Sequence, residues 1–412
     1  MKWIYNLSII LYSLVIRIAA LFNTKAKYWI DGRKGIWHRL LEISESNSSV
    51  IWIHCSSLGE FEQGRPVIEK LKSAFPGAKI LLSFFSPSGY RVRKNYSQCD
   101  WVDYMPLDTS RNAKRFLDLV KPGMVLFIKY EFWYHHLAEL KKRGIPTFLI
   151  SANFRESQIF FKWYGSWYRQ MLHTYKTIFV QSELSKNLLA KISFSNVLVA
   201  GDTRFDRVKA IMEQSKEIPL AELFSKNHSV IVAGSTWQKD EDLLFGFIKN
   251  TQADVKLIMA PHEINKKQLA KLKNEWNGQL ILFSEATADN IHTAKILVID
   301  NVGMLSSLYR YGILAYVGGG FGKGIHNVLE AATYGMPILF GPNYNKFQEA
   351  IQLVDLNAAF PVANSLELDS VLSRFLNNEK LLKQTSAIAA EYVRSKTGAT
   401  DYVLSILKNE LI

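Results

Sequence analysis

One pattern constrains this chain more than any other. Short β-branched or apolar runs recur along it, each followed by turn residues or a polar cap and then by a stretch of helical spacing. The first set is Val50–His54, Lys79–Ser83, Met124–Lys129, Thr147–Ser151, Thr177–Gln181 and Val197–Ala200. After Asp206 the pattern starts again, with Ser229–Ala233, Val255–Ala260, Gln279–Phe283, Ile296–Ile299, Ile313–Val317 and Pro337–Phe340. Strands separated by helices build βαβ units and a mostly parallel sheet. The expected fold is therefore α/β, with two Rossmann-like, doubly wound domains facing a shared cleft and ligands at the carboxyl ends of the strands. The boundary falls within residues 203–221. It divides the chain into an N-terminal segment (1–35), a first domain (36–205) and a second domain (206–412) whose last helix is expected to pack back on the first.

At 412 residues the chain has room for two cores of ordinary size. Its two cysteines, Cys55 and Cys99, are too few for a disulfide framework or a Cys-rich zinc site, which removes the secreted mini-protein class. Fifty Lys and Arg against 37 Asp and Glu give a net charge of +13, so an anionic partner is expected. With no block of five or six consecutive basic residues and no nucleic-acid-binding signature, a nucleotide or an acidic membrane fits better than nucleic acid.

From Trp3 to Phe22 the run WIYNLSIILYSLVIRIAALF would make a helix about 30 Å long, the thickness of a bilayer's hydrocarbon. Asn6, Ser8, Ser13 and Arg17 interrupt it, so the run reads as a spanning helix, a helix lying on the membrane, or a buried core helix. A signal peptide is disfavoured because Arg17 breaks the apolar region. Lys25, Lys27, Arg33 and Lys34 follow the run against Lys2 before it, which under the positive-inside rule puts the body on the cytoplasmic side. A linker, DGRKGIWHRL, leads from there into the first domain.

Three stretches carry chemistry. AYVGGGFGKGIHNVLEAATYGMPILFGP, from Ala315 to Pro342, takes a strand into Gly318, Gly319, Gly320, Gly322 and Gly324 and then into a helix expected to open near His326. Glycines let backbone approach a ligand, and the free N–H groups of a helix start favour a phosphate. Asn327 and Glu330 share a face on that helix, where Glu330 would accept hydrogen bonds from two ribose hydroxyls. A glycine-rich turn with an acid complementing the helix dipole would look the same. HCSSLGEFEQGRP, from His54 to Pro66, sets Ser56, Ser57, Gly59 and Glu60 in the turn after the first strand. A carboxylate there can take a proton from an acceptor hydroxyl or simply cap the helix. Glu62 is its rival in the same stretch. KYEFWYHH, from Lys129 to His136, ends a strand with Glu131 beside aromatics. His135 and His136 point different ways on a helix and read as surface or packing residues, so no metal is assigned to them. No HExxH, Cys-x-x-Cys or GxxxxGK[ST] motif occurs.

Taken in order, HCSSLGE, YEFW (Tyr130–Trp133), GIPTFLISAN (Gly144–Asn153), VQSE (Val180–Glu183), GDTRFD (Gly201–Asp206), DNVGML (Asp300–Leu305) and GKGIHNVLEAATYGMPILFGPNY form a set. It resembles the 3-deoxy-D-manno-octulosonic acid (Kdo) transferases of lipopolysaccharide assembly, from about Trp3 to the GATDYVLSIL near the C-terminus. The resemblance implies a glycosyltransferase of GT-B architecture at the cytoplasmic face of the inner membrane, moving Kdo from CMP-Kdo to a lipid A precursor (lipid IVA) with inversion. It puts the catalytic base on Glu60 and transition-state stabilisers on Glu131 and Arg204. It puts nucleotide contacts on Pro261, His262, Val302, Gly303, Met304, Asn327, Val328, Leu329 and Glu330. Four residues depart from the family's pattern: Lys129 stands for a glutamate, Asp202 for an asparagine, Arg204 for a lysine and His262 for an arginine. Arg204 keeps the charge as a planar fork, whereas His262 gives up a permanent one.

Transfer from a sugar carrying a single-phosphate nucleotide needs a base for the attacking hydroxyl and positive charge for the departing phosphate. No metal and no cofactor beyond the donor CMP-Kdo are expected. The rival readings are another GT-B enzyme using a UDP-sugar on a lipid-linked acceptor, and a catalytically silent membrane-bound binding protein.

Overall fold

The computed structural model describes residues 1–46 and 48–410. They divide into two compact units, residues 1–207 with the stretch from Thr397 onward, and residues 208–396. In the first unit β1 (Val50–Cys55), β2 (Lys79–Phe84), β3 (Trp101–Tyr104), β4 (Pro122–Ile128), β5 (Thr147–Ala152), β6 (Thr177–Val180) and β7 (Val197–Val199) form one parallel sheet in the order β3-β2-β1-β4-β5-β6-β7. The order reverses between β1 and β4. At such a switch point the connections on either side leave toward opposite faces of the sheet and open a crevice at the strand carboxyl ends. Helices cover both faces, so β1 is buried at every position and shows no alternation.

The second unit repeats the plan with β8 (Ser229–Thr236), β9 (Val255–Pro261), β10 (Leu280–Leu282), β11 (Ile296–Val298), β12 (Leu314–Val317), β13 (Ile338–Phe340) and β14 (Ala359–Pro361). Its sheet is also parallel, in the order β10-β11-β9-β8-β12-β13-β14, and switches between β8 and β12. All the expected strand runs are strands. β3 and β14 lie outside the expected set, and both are edge strands. Asp103 spoils the apolar run of β3; it is accommodated because Arg39 reaches its carboxylate with two N–H groups at 2.7 Å. β14 is three residues ending in Pro361, which only an edge strand tolerates.

Residues 31–40 are not a linker. Helices run from Thr24 to Arg33 and from Ile36 to Glu45. In the second of these Ile36, Leu40 and Ile43, spaced four and three apart, are buried in the first unit's core. Arg33 therefore leaves the basic flank. It donates to the carbonyls of Met105, Trp29 and Phe85, its guanidinium lies 3.8 Å over the Trp29 ring, and burial pulls its pKa down to about 9.

The helix Lys2–Ala19 has no buried residue, so it is not a core helix. One side meets the first unit: Tyr5 donates to Asp108, Asn6 Oδ1 lies 2.6 Å from His135 Nε2, and Tyr12 packs on Trp29 and Phe85. The other side, with Trp3, Leu7, Leu11, Leu14, Val15 and Ile18, is exposed. At the far end of the chain, the helix Ala399–Leu407 packs on the helix Leu58–Ala74 through Val403, Leu404 and Leu407. Asp206 caps it, accepting from the amides of Gly398 and Thr400 at 2.6 and 2.7 Å.

Candidate functional site

The first unit's switch point is lined by the turns that follow β1 and β4. After β1, Ser57 is the N-cap of the helix Leu58–Ala74 and Glu60 its third residue, which closes a capping box. The Ser57 amide donates to Glu60 Oε2 at 2.9 Å. Glu60 thus lies inside the first helical turn, half-buried, and its Oε1 accepts no hydrogen bond among the described residues. After β4 the chain passes through Lys129 at φ 74°, a left-handed conformation that costs a β-carbon about 1 kcal/mol or more. That bend delivers Glu131 to the same place. Glu131 is 1% exposed and accepts from the Ser56 amide (3.2 Å), the Ser56 hydroxyl (2.9 Å) and the Trp133 indole N–H. His54 Nε2 lies 3.3 Å from it.

Two neighbouring carboxylates out of water cannot both ionise freely. Burial, and then the Glu131 charge, push the Glu60 carboxyl up to about 7, while its hydrogen bonds to Ser57 and the Lys129 cation pull the other way. A carboxylate so placed takes a proton near neutral pH. Arg204 joins the group. It follows β7 at the start of the helix Thr203–Glu213, where its Nε donates to Asp202 at 2.9 Å. Thr203 donates to the Gln63 carbonyl at 2.6 Å, tying that helix start to the helix of Glu60. Tyr130, in the loop after β4, feels both sides: its phenol is raised first by burial and also responds to Arg155, Glu60, Arg204 and Asp202.

Two other expectations end differently. Glu62 is engaged by Arg93 at 2.8 Å and Arg207 at 3.7 Å, away from Glu131. His135 and His136 are packing residues, not surface ones. Both are buried, and Asp108 accepts from both of their amides and meets His136 Nδ1 at 2.6 Å. Among the described residues, no group of three or more His, Cys, Asp or Glu is arranged to hold a metal ion.

In the second unit, Trp237, His262 and His326 gather at the ends of β8, β9 and beyond β12. The His262 ring stacks on Trp237 at 4.6 Å and on His326 at 4.4 Å, and the Trp237 indole donates to His326 Nε2 at 3.2 Å. Burial first, and then His262, lower the His326 pKa. Pro261 ends β9, and the His262 amide donates to the Thr236 carbonyl. Val302, Gly303 and Met304 form the turn after β11, one strand further out, with Val302 88% exposed.

The glycine tract serves packing first. A Cβ on Gly318 would strike the Ser235 carbonyl, and one on Gly320 would lie 2.6 Å from the Gly341 backbone. The helix after it does not open near His326; it runs only from Leu329 to Thr333. Asn327 accepts from the Leu329 amide at 3.1 Å and donates to Glu330 at 3.0 Å, so this pair starts the helix. Val328 and Leu329 point into the core, which leaves only their backbone for a ligand. Sequence reasoning set Ser56 in the turn and His326 at a helix start without giving either a role, and passed over the roles of His54 and Trp133 around Glu131 and of Trp237 and Asp240. A histidine inside an apolar strand run was the available signal for His54, because a buried imidazole needs partners.

Residues 31–207 match the family model described as 3-deoxy-D-manno-octulosonic-acid transferase (kdotransferase). The chain is 28% identical over 340 residues to the 3-deoxy-D-manno-octulosonic acid transferase of Aquifex aeolicus, covering 81% of this chain and 88% of the relative. It is 25% identical over 381 residues to that of Rickettsia bellii, covering 88% of both chains. Among solved structures, UDP-GlcNAc 2-epimerase from Neisseria meningitidis bound to UDP-GlcNAc superposes with a TM-score of 0.61 at 15% identity, covering 88% of this chain and 100% of that one. MurG of Acinetobacter baumannii gives 0.56 at 14%, covering 88% and 99%. The structures establish the two-unit GT-B fold, and along most of its length the chain is similar in sequence to the Kdo transferases.

Proposed function

We propose that this glycosyltransferase moves Kdo from CMP-Kdo to a lipid A precursor with inversion, Glu60 taking the proton of the acceptor hydroxyl. The observation that carries the reading is the state of Glu60: an uncommitted Oε1 at the switch point, on a carboxyl raised to about 7. Arg204, a fixed cation near it, suits the negative charge of the acceptor or the donor sugar. The nucleotide is assigned to the second unit, with Glu330 on the ribose and the Trp237–His262–His326 stack beside the phosphate. A single-phosphate leaving group asks for no metal, so activity in excess EDTA is part of the proposal.

The helix Lys2–Ala19 supports membrane association of a particular kind. Docked by Tyr5, Asn6 and Tyr12, it turns an apolar face outward along its whole length, the arrangement of a helix lying in the interface rather than crossing it. With Lys25, Lys27 and Lys34 exposed beside it, the reading is attachment to an anionic leaflet, the cytoplasmic face of the inner membrane. The test is incubation of the purified protein with CMP-Kdo and lipid IVA, followed by mass spectrometry of the lipid, with UDP-sugars as alternative donors. Lipid gaining the mass of Kdo supports the proposal; transfer from a UDP-sugar alone overturns it.

A further inference from the structure

We propose that Glu131 is a positioning residue that acts through Glu60: a buried anion, locked by internal donors, whose charge makes the neighbouring carboxylate a stronger base while Lys129 on the same loop opposes it. This deepens the assignment of Glu60 as base and rests on it.

Access comes first. Glu131 is 1% exposed, while Glu60 is half-buried with Oε1 uncommitted among the described residues, so an acceptor hydroxyl meets the second and not the first. The Ser56 amide serves Glu131 Oε1, the Ser56 hydroxyl and the Trp133 indole serve Oε2, and His54 Nε2 stands 3.3 Å from Oε2 as a close polar contact. The tautomer of His54 follows from a chain behind it. Trp52 Nε1, which can only donate, lies 2.7 Å from Ser83 Oγ, and Ser83 Oγ lies 2.8 Å from His54 Nδ1. Ser83 then gives its own proton to Nδ1, and the imidazole proton is assigned to Nε2, facing Glu131. Trp52, Ser83 and His54 are all buried, so this chain is a fixed part of the unit.

Adjacency is set by the backbone. The consecutive amides of Ser56 and Ser57 donate to Glu131 and Glu60 respectively, which holds the two carboxylates side by side. Of such a pair, the one with fewer donors keeps its proton longer. That one is Glu60. The groups facing it are Glu131, Lys129 and Tyr130 from the loop after β4, Cys55 from β1, and Ser57 from its own helix. Lys129 is the positive charge on that loop, and Arg204, which shares Tyr130 as a neighbour with Glu60, is the second cation of the group. The raised Glu60 value accords with this balance.

The experiment is the pH profile of kcat/KM for Kdo transfer, from pH 4.5 to 9, in wild type, Glu131→Gln, Glu131→Asp and Lys129→Met, with a melting curve for each. The wild-type acid limb should have its midpoint near 7, where kcat/KM reports the free enzyme's base. Glu131→Gln should move that midpoint down by about one pH unit or more, and Glu131→Asp, which keeps the charge, should restore it. Lys129→Met should move it up. A Glu131→Gln profile lowered at every pH with its limb in place overturns the proposal, since that is the signature of a group touching the transition state. If the melting curve shows Glu131→Gln unfolded, Lys129→Met decides, and an unmoved limb overturns the scheme. Failure of the parent reading looks different: Glu60→Gln would keep both its rate and its limb.

Discussion

Replacing Glu60 by Gln separates activity from stability. Glutamine keeps the shape, and a capping box accepts Glu or Gln at this position, so the bond from the Ser57 amide survives. What is lost is the base, at a cost of about 10²–10⁴ in turnover. Stability should change in the opposite sense. The Glu60 carboxyl stands at about 7 in the folded chain against an ordinary 4.5. Between those pH values the folded state holds a proton that the unfolded chain has released, so the native state loses stability as pH rises through the window, and the loss is complete above it. At about 1.4 kcal/mol per pH unit the gap is worth about 3 kcal/mol, an upper bound because Glu131 shares in it. Glu60→Gln should therefore be inactive yet more stable than wild type by about 1–3 kcal/mol at pH 8, the gain vanishing by about pH 4.5. Transfer assays and melting temperatures at pH 4.5 and 8 test both halves. Retention of more than about a tenth of wild-type turnover with chemistry limiting, or a lower melting temperature at pH 8, refutes the reasoning.

Changing Leu7, Leu11 and Leu14 together to Ser should release the protein from anionic vesicles without lowering its melting temperature, because all three lie on the exposed side of the N-terminal helix, opposite Tyr5 and Asn6. Vesicle binding equal to wild type would place the membrane contact elsewhere. Glu330→Ala should weaken CMP binding by roughly 1.5–3 kcal/mol in calorimetry, the scale of a hydrogen bond to a charged group. Unchanged affinity would remove Glu330 from the ribose.

Most of the fold was legible because buried parallel strands announce themselves as apolar runs, and the two that did not are edges carrying Asp103 or Pro361. The helix Ile36–Glu45 was legible in principle, since Ile36, Leu40 and Ile43 carry the period; Gly32 and Gly35 nearby made the segment read as a linker. Glu60 could be found from the Ser-x-x-Glu spacing after a strand. Its partner's role could not, because Glu131 reaches it through a left-handed turn at Lys129 and a bond from Ser56, a residue 75 positions away along the chain. Spacing along a sequence reports which residues share a face of one element. It does not report which two turns a switch point brings side by side.

Each switch point opens with an acid at the third position of its first helix, and the two acids are used differently. Asp240 turns back to accept from the Trp237 amide at 2.9 Å as Glu60 does from Ser57, but Asp240 is fully buried and both of its oxygens are committed. Oδ1 accepts from Tyr316 at 2.9 Å, and Oδ2 takes the Gly319 amide at 3.0 Å as well as that of Trp237. It clamps the start of the glycine tract to the end of β8 and has no oxygen to offer a substrate. Glu60, one methylene longer, caps with Oε2 and keeps Oε1 over. Asp240→Ala strands three donors, of which the Tyr316 hydroxyl and the Gly319 amide are buried and worth about 1–3 kcal/mol each, and should lower the second unit's melting temperature and its CMP affinity together. Asp240→Asn should be mild, because a carboxamide turned with its NH2 toward the Tyr316 oxygen still accepts from both amides. A wild-type melting curve for Asp240→Ala would show that the tract holds its shape without the clamp, and would return its glycines to the role of ligand contacts alone.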